Sequence, residues 1–99
     1  MDDTRWIAER RLVAIDRATG ERTPITLRIA APEPWGDDGA AAACRVEIAG
    51  LLTNVKPVVG IDGVQALQQA CKFLDDYLAA KSDVLDVRFP TGEPYERCS

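Results

Sequence analysis

Residues 58–81 read VVGIDGVQALQQACKFLDDYLAAK, and their spacing decides the fold class. Val64, Leu67, Cys71, Leu74 and Leu78 recur at steps of three and four, the period of one helical stripe. Ala66, Ala70, Phe73 and Tyr77 make a second stripe beside it. On a wheel of about 100° per residue the two stripes fill roughly half the circumference. Gln65, Gln68, Gln69, Lys72, Asp75 and Asp76 take the other half. Asp62 stands where an N-cap is needed, and Gln65 three residues on completes a capping-box pattern. Gly60 and Gly63 flank the start, and Lys81 suits the negative end of the helix dipole. A helix divided in this way must lie on a broad apolar surface. Cys71, on the apolar stripe, is expected to be a buried, reduced thiol.

The surface is supplied by strands on both sides. Residues 6–16 (WIAERRLVAID) read as a first strand with Val13 and Ile15 on one face and Leu12 and Ala14 on the other. The run Glu9-Arg10-Arg11 interrupts the alternation and predicts a bulge or a late start. RATGE, with Gly20, reads as a hairpin turn. Thr23, Ile25, Leu27 and Ile29 then alternate with Pro24, Thr26, Arg28 and Ala30, one face buried and one wet. Pro24 favours the beginning of that strand.

Residues 31–42, with two prolines, two glycines and two aspartates around Trp35, read as a loop. Cys44, Val46 and Ile48 alternate with Arg45, Glu47 and Ala49 as a third strand. Residues 53–59, after a turn at Thr53-Asn54, add a short fourth in which Pro57 favours an edge. Beyond the helix, Leu85, Val87 and Phe89 point inward and Asp86 and Arg88 outward. Residues 90–99 read as a loosely held tail. The expected architecture is one α+β domain over residues 1–99. In it an antiparallel sheet of four or five strands carries the helix on one face, in the order β-β-β-(β)-α-β.

The bulk properties fit this reading. The chain has 99 residues, 46% hydrophobic and 28% charged, enough for one core and unlike a disordered segment. No apolar run approaches the roughly 18 residues of a membrane helix. MDDTRW opens with two acids, unlike a secretory leader, so a cytoplasmic protein is expected. Three widely spaced cysteines do not form a disulfide framework, and Cys98 reads as exposed and incidental. The net charge of −4, with scattered basic residues, argues against nucleic acid as a partner.

Histidine is absent, which removes the commonest general base and metal ligand together. No cysteine pair has the spacing of a zinc site, and neither serine lies in a nucleophile elbow. Gly60-Ile61-Asp62-Gly63 has the GxxG spacing, but its acid would repel phosphate, and the glycines serve the turn. No catalytic residue, cofactor or metal is therefore expected. Asp37-Asp38, with Glu33 close by, reads as a solvated turn, with a small metal-assisted enzyme as the alternative. Trp35, in a long loop, either anchors a partner or folds back on the core. Arg28, Arg45, Glu47 and Arg88, with Thr26 and Asp86, make the outward sheet face, a polar surface that pairs internally or docks a partner.

The segment GIDGVQALQQACKFLDDYL, preceded by CRVEIAGLL, resembles small bacterial proteins of unknown function built on a strand, Gly-x-Asp and a Gln-Ala-Leu-rich helix. It is more loosely similar to HicB-type antitoxins, whose appended DNA-binding segment has no counterpart in this sequence. By size, acidity and lack of catalytic apparatus the chain also resembles immunity proteins of contact-dependent growth inhibition. These likenesses imply a non-enzymatic protein that occludes a basic toxin domain, using Glu33, Asp37 and Asp38 with Trp35 as anchor. A homo-oligomeric module, such as a dimer joined through a strand edge, is the further alternative.

Overall fold

Alternating apolar residues form an antiparallel sheet here because the longest strands are joined by tight glycine turns. The computed structural model describes residues 5–95, apart from the side chains of Thr53 and Asn54. The order is β1 (Trp6–Asp16), β2 (Arg22–Ala30), β3 (Glu33–Trp35), β4 (Ala41–Ala49), β5 (Leu52–Gly60), α1 (Gly63–Ala80) and β6 (Leu85–Arg88). All six strands join one antiparallel sheet, with α1 on one face.

The β1–β2 turn closes as its composition predicts. Gly20 takes φ 77°, and the Asp16 carboxylate accepts from the Ala18 and Thr19 amides at 2.8 and 3.2 Å. Pairing then sets Leu12 opposite Ile25 and Arg10 opposite Leu27. The register slips between Trp6 and Ala8, so the expected bulge lies ahead of the charged run rather than within it.

Residues 31–42 are not a loop. Glu33, Pro34 and Trp35 pair with Ala43, Ala42 and Ala41, and a turn with Gly39 N 3.2 Å from Gly36 O joins the two strands. β2 and β3 both lie along the same edge of β4, so they act as one long strand broken at residues 31–32. β4 accordingly begins three residues before Cys44. The next turn is at Gly50-Leu51, and β5 already includes the Thr53-Asn54 positions assigned to a turn. Pro57 does lie on an edge strand, and among the described residues nothing pairs with the outer side of β5.

The helix begins as its sequence indicates. Asp62 Oδ1 accepts from Gln65 N at 2.8 Å, and Gln65 Oε1 accepts from Ile61 N at 2.7 Å, one residue before the position a standard capping box uses. Lys81 is the C-cap residue, with its ammonium 5.7 Å from the Tyr77 ring centroid.

The buried stripe is narrower than the wheel suggests. Ala66, Ala70, Leu74 and Leu78 are buried, with Leu67, Phe73 and Tyr77 packed beside them. Cys71 is exposed, contrary to expectation, and Val64 is 68% exposed. A cylinder resting on a sheet touches it along a limited arc, and these two residues lie at one flank of that arc. Cys44 is the fully buried thiol. Burial, and secondarily Cys71, push its pKa up, so it stays protonated and acts as a small apolar side chain.

α1 packs chiefly on β4 and β5 and reaches β2. Its approach to β5 depends on Gly60, where a Cβ would fall 2.4 Å from the Ala66 amide nitrogen. After β6 the chain turns back. Tyr95 N donates to Val87 O at 3.0 Å, Phe89 N to Glu93 O at 2.8 Å, and Pro94 bridges Arg88. The expectation of a loose tail thus meets hydrogen-bonded structure up to residue 95. Residues 96–99, including Cys98, lie outside the described part.

Gly60→Ala is expected to destabilise the domain by about 2–3 kcal/mol, because the clash is with helix backbone and no side chain can swing aside. A urea midpoint equal to the parent's would contradict this contact. Leu74→Asp places an unpaired carboxylate in the core and is expected to abolish the cooperative thermal melt.

Candidate functional site

The face of the sheet opposite α1 carries no covering element among the described residues, and the strand registers stack its charges in rows. Glu9 lies opposite Arg28, and Arg28 opposite Glu47. The guanidinium answers both, with Nε 3.1 Å from Glu9 and Nη1 2.9 Å from Glu47. Arg45 Nε holds Glu33 at 2.9 Å, tying β3 to β4. Arg88 binds Asp86 at 2.9 Å on β6 and donates to the Gly92 carbonyl.

The residues singled out from sequence therefore fall into three groups. Arg28, Glu47, Arg45 and Glu33 form a contiguous patch over β2, β4 and β3. Arg88 is on the same face but lies beyond β1, at the opposite side of the sheet. Asp37 and Asp38 occupy the β3–β4 turn, where Asp38 Oδ1 accepts from Ala40 N at 3.0 Å. That is a turn-forming bond, and neither acid is in an ion pair among the described residues. Trp35 is 38% exposed and shares Glu33's side of the short strand, so the hairpin presents it at the margin of the charged patch. Val59, 46% exposed and opposite Ala43, adds apolar surface that sequence reading did not select.

Surface ion pairs of this kind contribute little stability singly, about 0–1 kcal/mol. Their effect is geometric, since each guanidinium is already held by its carboxylates. Among the described residues, no three side chains of metal-binding type come together. The Asp37–Asp38 reading thus has two adjacent acids and no third ligand beside them.

A second feature was not anticipated. Between α1 and the start of β1 lies a groove of about 700 Å³, floored by Ala8, Leu27, Ile29 and Leu74. Gln68 and Cys71 line its helical wall, and Tyr95 stands at its edge. Tyr95 donates its hydroxyl to Asp75, packs on Phe89 with ring centroids 5.8 Å apart, and lies under the Arg10 guanidinium at 5.7 Å. Burial first, and the Asp75 carboxylate next, push the Tyr95 pKa up to about 12. The available signal was Arg10 itself, a cation in register with inward-facing Leu12 and Ala14.

No helix among the described residues is long and apolar enough to cross a membrane. Residues 8–92 match the domain of unknown function DUF6968, and the chain belongs to that family. No curated protein and no solved structure matches the chain significantly.

Tyr95→Phe is expected to cost about 1 kcal/mol near neutral pH, measured by denaturant unfolding. In the parent the folded state holds the phenolic proton more tightly than the unfolded state, whose tyrosine keeps its ordinary pKa near 10. This contribution is complete below pH about 10 and is lost as pH rises towards about 12. The Phe variant should lack that component of the alkaline decline.

Proposed function

We propose that this member of DUF6968 is a non-enzymatic protein-binding module working in the cytoplasm. Its interface is the open sheet face together with the Trp35 hairpin. In its most concrete form it is an immunity or antitoxin protein that occludes the active cleft of a basic toxin domain. The observation that carries this reading is a wide sheet face left uncovered and surfaced by pre-paired charges beside an exposed tryptophan. Arg28 and Arg45 are held in place before any partner arrives, which lowers the ordering cost of association. Trp35 offers a large, stiff anchor of the type that dominates interface energetics. Because Glu33 is engaged by Arg45, long-range attraction of a cationic cleft falls to Asp37 and Asp38.

The test is co-expression and co-purification with the product of the adjacent gene. The neighbour is expected to be toxic alone and to be recovered bound to this chain. Trp35→Ala should weaken the complex about tenfold or more. Asp37→Ala/Asp38→Ala should mainly slow association and reduce its salt dependence. A neighbour that is harmless alone and does not bind would remove the reading.

A further inference from the structure

We propose that the groove between α1 and β1 is a binding site for an uncharged, largely aliphatic small molecule with one hydrogen-bonding head group. Its apolar body lies on Leu27, Ile29 and Leu74, and its head group meets the Gln68 amide. The site is on the opposite side of the sheet from the proposed protein interface and does not depend on it.

The groove follows from a mismatch of widths. An α-helix is about 10 Å across, whereas strands are spaced by about 4.8 Å, so one helix cannot roof the whole sheet. α1 lies over β4 and β5, leaving the helix-facing side of β1 near Ala8 and Arg10 without cover. The resulting volume of about 700 Å³ is within the roughly 300–1,000 Å³ typical of small-molecule sites. The floor is aliphatic, which selects an apolar body.

The charges of the lining select against an ion. Two acids and two bases contribute to it, and each is already matched. The Glu9 carboxylate is held by Arg28, and Lys72 Nζ lies 2.6 Å from Asp76. Arg10 and Asp75 meet through one group, the Tyr95 hydroxyl, which donates to Asp75 and accepts from Arg10. An ion entering the groove gives up water and finds no spare counter-charge, a cost that a neutral molecule avoids. Gln68 is different. It is exposed on the helical wall, and its side chain makes no hydrogen bond among the described residues. A primary amide offers both a donor and an acceptor, so it suits a hydroxyl, carbonyl or amide head group.

The test is an amide chemical-shift titration with octanol, with octanoate and octylammonium as its anionic and cationic counterparts. Octanol should shift the Ala8, Ile29, Gln68 and Cys71 amides along a saturable curve. Octanoate and octylammonium should each bind about tenfold more weakly. Gln68→Ala should raise the octanol Kd about fivefold, the loss of one hydrogen bond. Ala8→Trp, or Cys71→Trp from the facing wall, should fill the groove and abolish the saturable shifts. Ala8, Gln68 and Cys71 are exposed, and each variant is checked for a parent-like thermal melt. Absent or unsaturable shifts with octanol would overturn the proposal. So would charged counterparts that bind as tightly, an octanol Kd unchanged by Gln68→Ala, or saturable shifts that persist in both Trp variants. Concentration-dependent shifts of the same amides without any additive would assign the groove to a second copy of the chain and equally overturn it.

Discussion

The contact on which the rest of this structure depends is the close seating of α1 on β5 at Gly60. A side chain there would run into the Ala66 backbone, so helix and strand meet almost main chain to main chain. Ala66 and Ala70 continue the same close approach along the buried stripe, over a core that includes Ala42 and Cys44. Small residues on both surfaces draw the helix towards one side of the sheet. Among the described residues no second helix completes the opposite side of that layer, and the structure makes do with Tyr95, returned by the chain after β6. The position of one glycine thus decides which part of the sheet is roofed and which becomes a groove.

The two faces solve the polar-group problem in different ways. On the helix side no polar or charged residue is buried among the described residues, and the buried core is aliphatic apart from a protonated thiol. On the open side, charges lie directly opposite one another across β1, β2 and β4, because the register places Glu9, Arg28 and Glu47 in one row. A slip of one residue in any of these strands would bring that row to the helix side. The pairs therefore specify register at least as much as they stabilise it.

Much of the fold was legible because local signals agreed with one another. Asp62 and Gln65 mark the helix start, Gly20 the first hairpin, and strict alternation the strands β2 and β4. The β3–β4 hairpin was not legible, because Glu33-Pro34-Trp35 is too short to alternate and lies among prolines and glycines that ordinarily end strands. Cys71 and Val64 were misplaced because spacing on a wheel shows which residues share a side, not how wide the contact is. At the candidate site, the outward charges were identifiable from alternation, but their partners depend on register, which only the paired strands establish. Arg10 was read as an irregularity. Its meaning depends on where the helix stops covering the sheet, a tertiary fact with no local trace.

The two edges of the sheet are unequal. β6 is shielded by the returning chain at Arg88 and Pro94, whereas the outer side of β5 is unpaired among the described residues. Filament growth through strand addition needs two adhesive edges, one to receive and one to offer. Among the described residues β3 also pairs only with β4, but over three residues, so β5 is the one long unpaired edge, and β5-against-β5 pairing about a two-fold axis is complete at two copies. The arrangement limits polymerisation by geometry rather than by surface charge.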